Sequence, residues 1–171
     1  GARGLKLQPP VQGFAAADPR LDPAYEVVAA RDAPVVLHAG TAPMFEDSPH
    51  VGVERFESFL ASYPDVRVCA AHMGAYEVDA FVGLARDNDN VFLDTTFAMS
   101  SVAETYMDFD PASVDDDTLI ELSESVMYGS DYPNIPYPYA REREHLLSRD
   151  LPVAAQRDIF SRTARRFLGD D

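Results

Sequence analysis

Hydrophobic positions in this chain recur in two rhythms. Five short runs of apolar or β-branched residues, Leu5–Gln8, Pro34–His38, Val66–His72, Val91–Thr95 and Val126–Ser130, begin at intervals of about thirty residues. Each is too short for a helix and rich in side chains that suit a pleated, buried surface, so each predicts a strand. Between them the apolar residues return with helical period, through 22–29, 53–60, 78–84 and 117–122. The first of these opens on Asp22-Pro23, an N-cap aspartate followed by a proline suited to the first turn, and places Tyr25, Val28 and Ala29 on one face. A last helix starts near Pro152 and ends at Phe167-Leu168, where Gly169 fits a C-terminal cap. Strand and helix therefore alternate, which predicts an α/β fold of parallel strands joined by crossover helices.

Two segments are too long to be simple connections: Gly40 to His50, and Phe97 to Val114. Both follow strands, at the end of a parallel sheet where such folds build their sites. The stretch VMYGSDYP, Val126 to Pro133, sharpens that expectation by running a buried strand straight into Asp131. A carboxylate there is costly unless it is paired, hydrogen-bonded or bound to a cation. His38 closes the second run and His72 the third, so both would share a rim with Asp131. Taken alone, a histidine ending an apolar strand reads as a hydrogen-bonded core residue. Three such residues at equivalent strand ends read as a site, and two imidazoles with one carboxylate are ligands that zinc takes while leaving a position for water.

Composition narrows the function classes. A chain of 171 residues suits one domain, and 46% hydrophobic residues predict that it folds. A net charge of −15 argues against sequence-independent binding to nucleic acid or anionic membrane. The single cysteine, Cys69, excludes an internal disulfide and reads as a buried thiol. With no window of membrane-spanning length and no signal-peptide pattern, a cytoplasmic location is expected.

The remaining polar residues divide between site and scaffold. Asp94, Thr95 and Thr96 end the fourth run and read either as rim residues or as hydrogen-bonded structure. His50, in the first long loop, could reach a substrate or be solvated, while His145 lies in a polar helix and reads as surface. Tyr132, Tyr137 and Tyr139 surround prolines after Asp131 and could wall a pocket or pack that loop. Glu46, Asp47, Asp108 and Asp110 make the long loops acidic, which disfavours a highly anionic substrate.

In order and spacing, GLKLQPP, VVLHAG, AAHMG, VFLDTT and YGSDYP, with the terminal TARRFLG, resemble the later strands of the metal-dependent amidohydrolase superfamily. The resemblance is to its aminocarboxymuconate-semialdehyde decarboxylase-like branch and covers essentially the whole chain. It implies a (β/α)8 TIM barrel of which 1–171 forms the last five strand–helix units as one partial domain. It also implies one divalent metal ion, zinc ahead of manganese, with His38 and Asp131 as ligands. His72 corresponds to a histidine that is a ligand in two-metal members and an acid/base in one-metal members. Asp131 would also hold or deprotonate the attacking water. Lys6 corresponds to a charged residue near the substrate, and His50 and Tyr132 are further candidates for substrate contact.

One departure from the family pattern is large. The family opens with His-x-His, two of the metal's ligands, and this chain has no such pair. It also falls short of the approximately 250 residues of a closed barrel. The expectation is therefore a piece of a longer enzyme, inactive alone, completed by a missing N-terminal segment or by a second copy. Leu5, Leu7, Val36 and Val68 would stand bare on the open inner face. The expected activity is metal-dependent hydrolysis or decarboxylation of a small carboxylated molecule. The rival is a truncated, inactive barrel serving as an interaction module.

Overall fold

The computed structural model describes residues 1–170 and contains one five-stranded sheet, all parallel, with strands in chain order. The strands are β1 (Leu5–Leu7), β2 (Val35–Leu37), β3 (Val68–Ala70), β4 (Val91–Asp94) and β5 (Val126–Met127). Among the described residues nine α-helices accompany them: α1 (Pro9–Gln12), α2 (Asp22–Ala30), α3 (Val53–Ser62), α4 (Val78–Asp87), α5 (Ala103–Met107), α6 (Asp116–Glu121), α7 (Ala140–Leu147), α8 (Val153–Arg157) and α9 (Thr163–Leu168). A π turn over Asp158–Arg162 joins the last two, and Gly169 caps α9 with φ 71° in the left-handed region. At the start of α2, Asp22 is the first helical residue and makes no side-chain cap. Its carboxylate instead accepts from the Tyr63 hydroxyl at 2.5 Å. No helix among the described residues is long and apolar enough to cross a membrane.

Register decides which side chains face the site. Lys6 aligns with Val36, Val36 with Cys69, and Cys69 with Phe92. Strand alternation sends this row to one face and its neighbours Leu7, Leu37, Val68, Ala70 and Leu93 to the other. The second set lies in the main core with Phe56, Phe59 and Phe81 of the covering helices.

This corrects the expected inner face. Leu7 and Val68 are buried in the helix-facing core, and Leu5 packs against it. Nor is the inner face bare: Phe167 from α9 seals Cys69, Phe92 and Met127 into a second cluster, with Val36 against it and Phe92 at 5.1 Å between ring centroids. Its edges stay open, since β1 and β5 do not pair with each other among the described residues. Lys6 Nζ nonetheless reaches Asp131 Oδ1 at 3.4 Å, from the first strand to the loop after the last.

Backbone crowding at the sheet's carboxyl end fixes the glycine of VVLHAG. A Cβ on Gly40 would sit 2.0 Å from the Gly74 carbonyl oxygen, so the loops after β2 and β3 meet backbone to backbone.

Candidate active site

His38 follows β2 directly, on the inner face by alternation from Val36. It is 6% exposed, and both ring nitrogens are buried without a hydrogen-bond partner. Its ring stands edge-on to Phe45 and to His72, each 5.0 Å away between centroids. Burial pushes His38 down to about 4, helped by neighbouring His72 and Lys6 and opposed by Asp131. The imidazole is therefore neutral near neutral pH and presents a free lone pair.

His72 reaches the same place by another route. Alternation along β3 would turn it toward the helices, but the chain breaks at this residue with φ 58°, in the left-handed region. Asp94 holds the break: its Oδ1 accepts from the N–H of His72 and from that of Thr96, both at 3.1 Å. The buried Cys69 thiol lies 3.8 Å from the other carboxylate oxygen, and burial raises its pKa, so it is a protonated donor. Asp94 is thus the hydrogen-bonded scaffold residue of its two sequence readings.

The His72 ring is oriented by a carbonyl. Nδ1 lies 3.1 Å from the Thr96 oxygen. A carbonyl only accepts, so Nδ1 carries the proton and Nε2 of the neutral ring is the acceptor. That Nε2 faces Asp131 Oδ2 at 3.9 Å. Two acceptors face each other there, an arrangement that calls for a proton, a water or a cation between them.

Asp131 lies in the loop beyond β5, four residues past the last strand residue, so the fifth run is a strand over only part of its predicted length. Lys6, His38, His72 and Asp131 line one cleft of about 570 Å³ at the sheet's carboxyl end. Met44 and Phe45 from the first long loop, and Phe97, Tyr106 and Met107 from the second, form its apolar walls. The two remaining sequence candidates lie elsewhere. His50 sits beside Leu37, Arg55 and Phe56 at a void of about 10 Å³ behind His38. Tyr132 is 68% exposed and packs on Tyr139, 6.1 Å between centroids.

The sequence reading missed Glu142. It is fully buried on α7, its Oε1 accepting from the Tyr137 hydroxyl at 2.9 Å and its Oε2 from the Phe97 N–H at 3.2 Å. The signal was its i, i+4 spacing to Leu146, which puts both on the buried stripe of an otherwise polar helix. His145, read as surface, is half-buried, with an unpartnered Nε2 and a pKa lowered by burial. Tyr137 is buried and, 5.5 Å from Phe97, backs the cleft wall.

Burial pushes Glu142 up to about 7, against the Tyr137 and Phe97 hydrogen bonds that lower it. The folded state then holds this proton where the unfolded chain, near 4.5, releases it. Its stabilisation is complete below about 4.5 and is lost as pH rises through about 7. We expect Glu142→Gln to flatten that decline, read as a change of a few degrees in the pH dependence of the thermal midpoint.

The donor chemistry suits a divalent ion: neutral His38, the Nε2 lone pair of His72 and the Asp131 carboxylate are all acceptors turned to one cleft. Among the described residues, no three His, Cys, Asp or Glu side chains are grouped to hold one. Residues His38 and Asp131 fit as part of a ligand set.

The amidohydrolase family profile matches residues 1–169. Solved structures share the fold. A TIM-barrel protein of Bordetella bronchiseptica is 21% identical at a TM-score of 0.79, over 99% of this chain and 58% of its own. The 5-carboxyvanillate decarboxylase of Sphingomonas paucimobilis is 18% identical at 0.61, over 98% and 58%. A dihydroxybenzoic acid decarboxylase of Polaromonas sp. JS666, with bound manganese and the inhibitor 2-nitroresorcinol, is 15% identical at 0.54, over 91% and 55%. Among curated proteins none matches. The chain thus spans less than two thirds of these barrels, and its five parallel strand–helix units are a partial (β/α)8 barrel. With its profile match extending over nearly every residue, this chain belongs to the amidohydrolase family.

Proposed function

We propose that the completed barrel is a metal-dependent hydrolase or decarboxylase of a small carboxylated molecule. The observation that carries this reading is the pair of unpartnered, buried nitrogens of neutral His38, in one cleft with Asp131 and the His72 lone pair. Residues outside the described chain would complete the ligand set. His38 and Asp131 would hold one divalent ion, zinc or manganese, which when bound lowers the pKa of a water toward neutrality. His72 accepts a proton at Nε2 or hydrogen-bonds the reacting group, its ring held by Thr96. Lys6, half-exposed in the cleft, supplies the cation for a substrate carboxylate, and the walls of Phe45, Phe97 and Tyr106 take its apolar body. The Sphingomonas and Polaromonas neighbours, both decarboxylases of aromatic acids by name, support this class of substrate.

The interaction-module reading draws on one observation, the lack of a three-ligand group among the described residues. Titration of zinc and of manganese into the completed barrel separates the two. One ion per barrel, bound at least about tenfold more weakly in His38→Ala, is expected. No binding by the completed barrel would favour the interaction module.

A further inference from the structure

Glu142 and His72 never touch, yet they grip the same peptide group. The peptide joining Thr96 to Phe97 accepts the His72 Nδ1–H at its carbonyl, 3.1 Å, and donates its N–H to Glu142 Oε2, 3.2 Å. The geometry points to Glu142 as a positioning residue that acts through the Thr96–Phe97 peptide to fix which nitrogen of His72 is free to face the cleft. Three features support this. Phe97 has φ 59°, a positive value that a non-glycine residue keeps only when its surroundings impose it; the Ala98 N–H donating to the Thr96 carbonyl at 2.6 Å closes the turn from within, and the Glu142 hydrogen bond holds the same peptide from outside. The Phe97 ring then stands edge-on to His72, 5.8 Å between centroids, so turning the peptide would disturb both contacts with the imidazole. Hydrogen bonds in series also polarise one another: a peptide donating to a carboxylate is a stronger acceptor at its carbonyl.

A histidine that serves as a ligand or a base commonly has its second nitrogen held by a carboxylate or a carbonyl. Here the carbonyl has a buried carboxylate behind it. Phe97 and Tyr137 also tie that carboxylate to the cleft wall, so the orientation of His72 and the shape of the wall depend on one side chain. The functional meaning of this arrangement rests on the proposed role of His72. Its existence does not, because the state of the ring is measurable without metal or substrate.

The test is nitrogen NMR of the protein labelled with ¹⁵N-histidine, at a pH where the imidazoles are neutral. The four histidines are His38, His50, His72 and His145, and a His72→Gln sample assigns the signals. In the native protein the Nδ1–H form of His72 should make up about nine-tenths or more. Glu142→Leu removes the acceptor for Phe97 N–H, and the Nδ1–H form should fall to about half or less as the Nε2–H form appears. Glu142→Gln keeps an acceptor oxygen and should restore the native form. Tyr137→Phe removes the other hydrogen bond to Glu142 and serves as the control for loosened packing, leaving the His72 tautomer unchanged. If Glu142→Leu does not fold, the Phe97 amide in Glu142→Gln carries the test through an upfield proton shift and a matching shift at His72 Nδ1. A native His72 in the Nε2–H form, a tautomer unmoved by Glu142→Leu, or the same loss in Tyr137→Phe would each overturn the inference. Absence of metal binding or turnover would bear on the proposed function and leave this result standing.

Discussion

Asp131→Asn in the completed barrel should lower turnover by about a thousandfold, within the range that a positioned acid or base contributes. Asparagine keeps the shape of the side chain and removes its charge. That charge has three uses at this position: it faces the His72 lone pair at 3.9 Å, it pairs with Lys6 at 3.4 Å, and it is one of the two proposed ligands in this chain. The Lys6 pair is half-exposed and contributes little to stability, so folding should be nearly unchanged. Comparing kcat with the urea unfolding midpoint therefore separates chemistry from stability. Loss of less than about tenfold in kcat would remove Asp131 from the chemistry.

Asp94→Ala should cost about 3 kcal/mol of stability and displace His72 at the same time. The carboxylate is the side-chain acceptor for two buried N–H groups, those of His72 and Thr96, and each buried donor left unsatisfied costs roughly 1–3 kcal/mol. It also takes the contact from the Cys69 thiol. Without Asp94, nothing else described holds the His72 N–H, and the residue is free to leave its left-handed conformation. Asp94→Asn keeps one acceptor oxygen and should recover a good part of the loss. Denaturant unfolding measures the stability of both variants, and equal stability of Asp94→Ala and the parent would show that the hydrogen bonds are dispensable.

The strand order and the rim were legible because both follow from alternation and spacing. His38 keeps step with Val36 and lands on the inner face as period two requires. His72 does not keep step. It was found because it closes an apolar run, while the left-handed turn that aims it into the cleft depends on Asp94, 22 residues later, and no local pattern carries that. The inner face was misread at β3 because that strand is buried on both sides, which erases the polar–apolar alternation that would distinguish Cys69 from Val68; β1 keeps the alternation, with Lys6 exposed between Leu5 and Leu7, and there the polar residue marks the inner face. The C-terminal helix could be predicted, but the insertion of Phe167 under Phe92 is a tertiary contact between distant segments. Glu142 was lost in a polar helix whose single buried stripe is too short to announce itself. His50 was proposed from its loop, and the loop folds it behind His38 rather than into the cleft.

We propose His38 and Asp131 as ligands of one ion. Anomalous X-ray scattering from crystals of the completed barrel, grown with zinc or manganese, tests it directly. One anomalous peak is expected, about 2 Å from a His38 ring nitrogen and from an Asp131 carboxylate oxygen, weakened or lost in Asp131→Asn. A peak elsewhere, or a cleft without one at saturating metal, would contradict it.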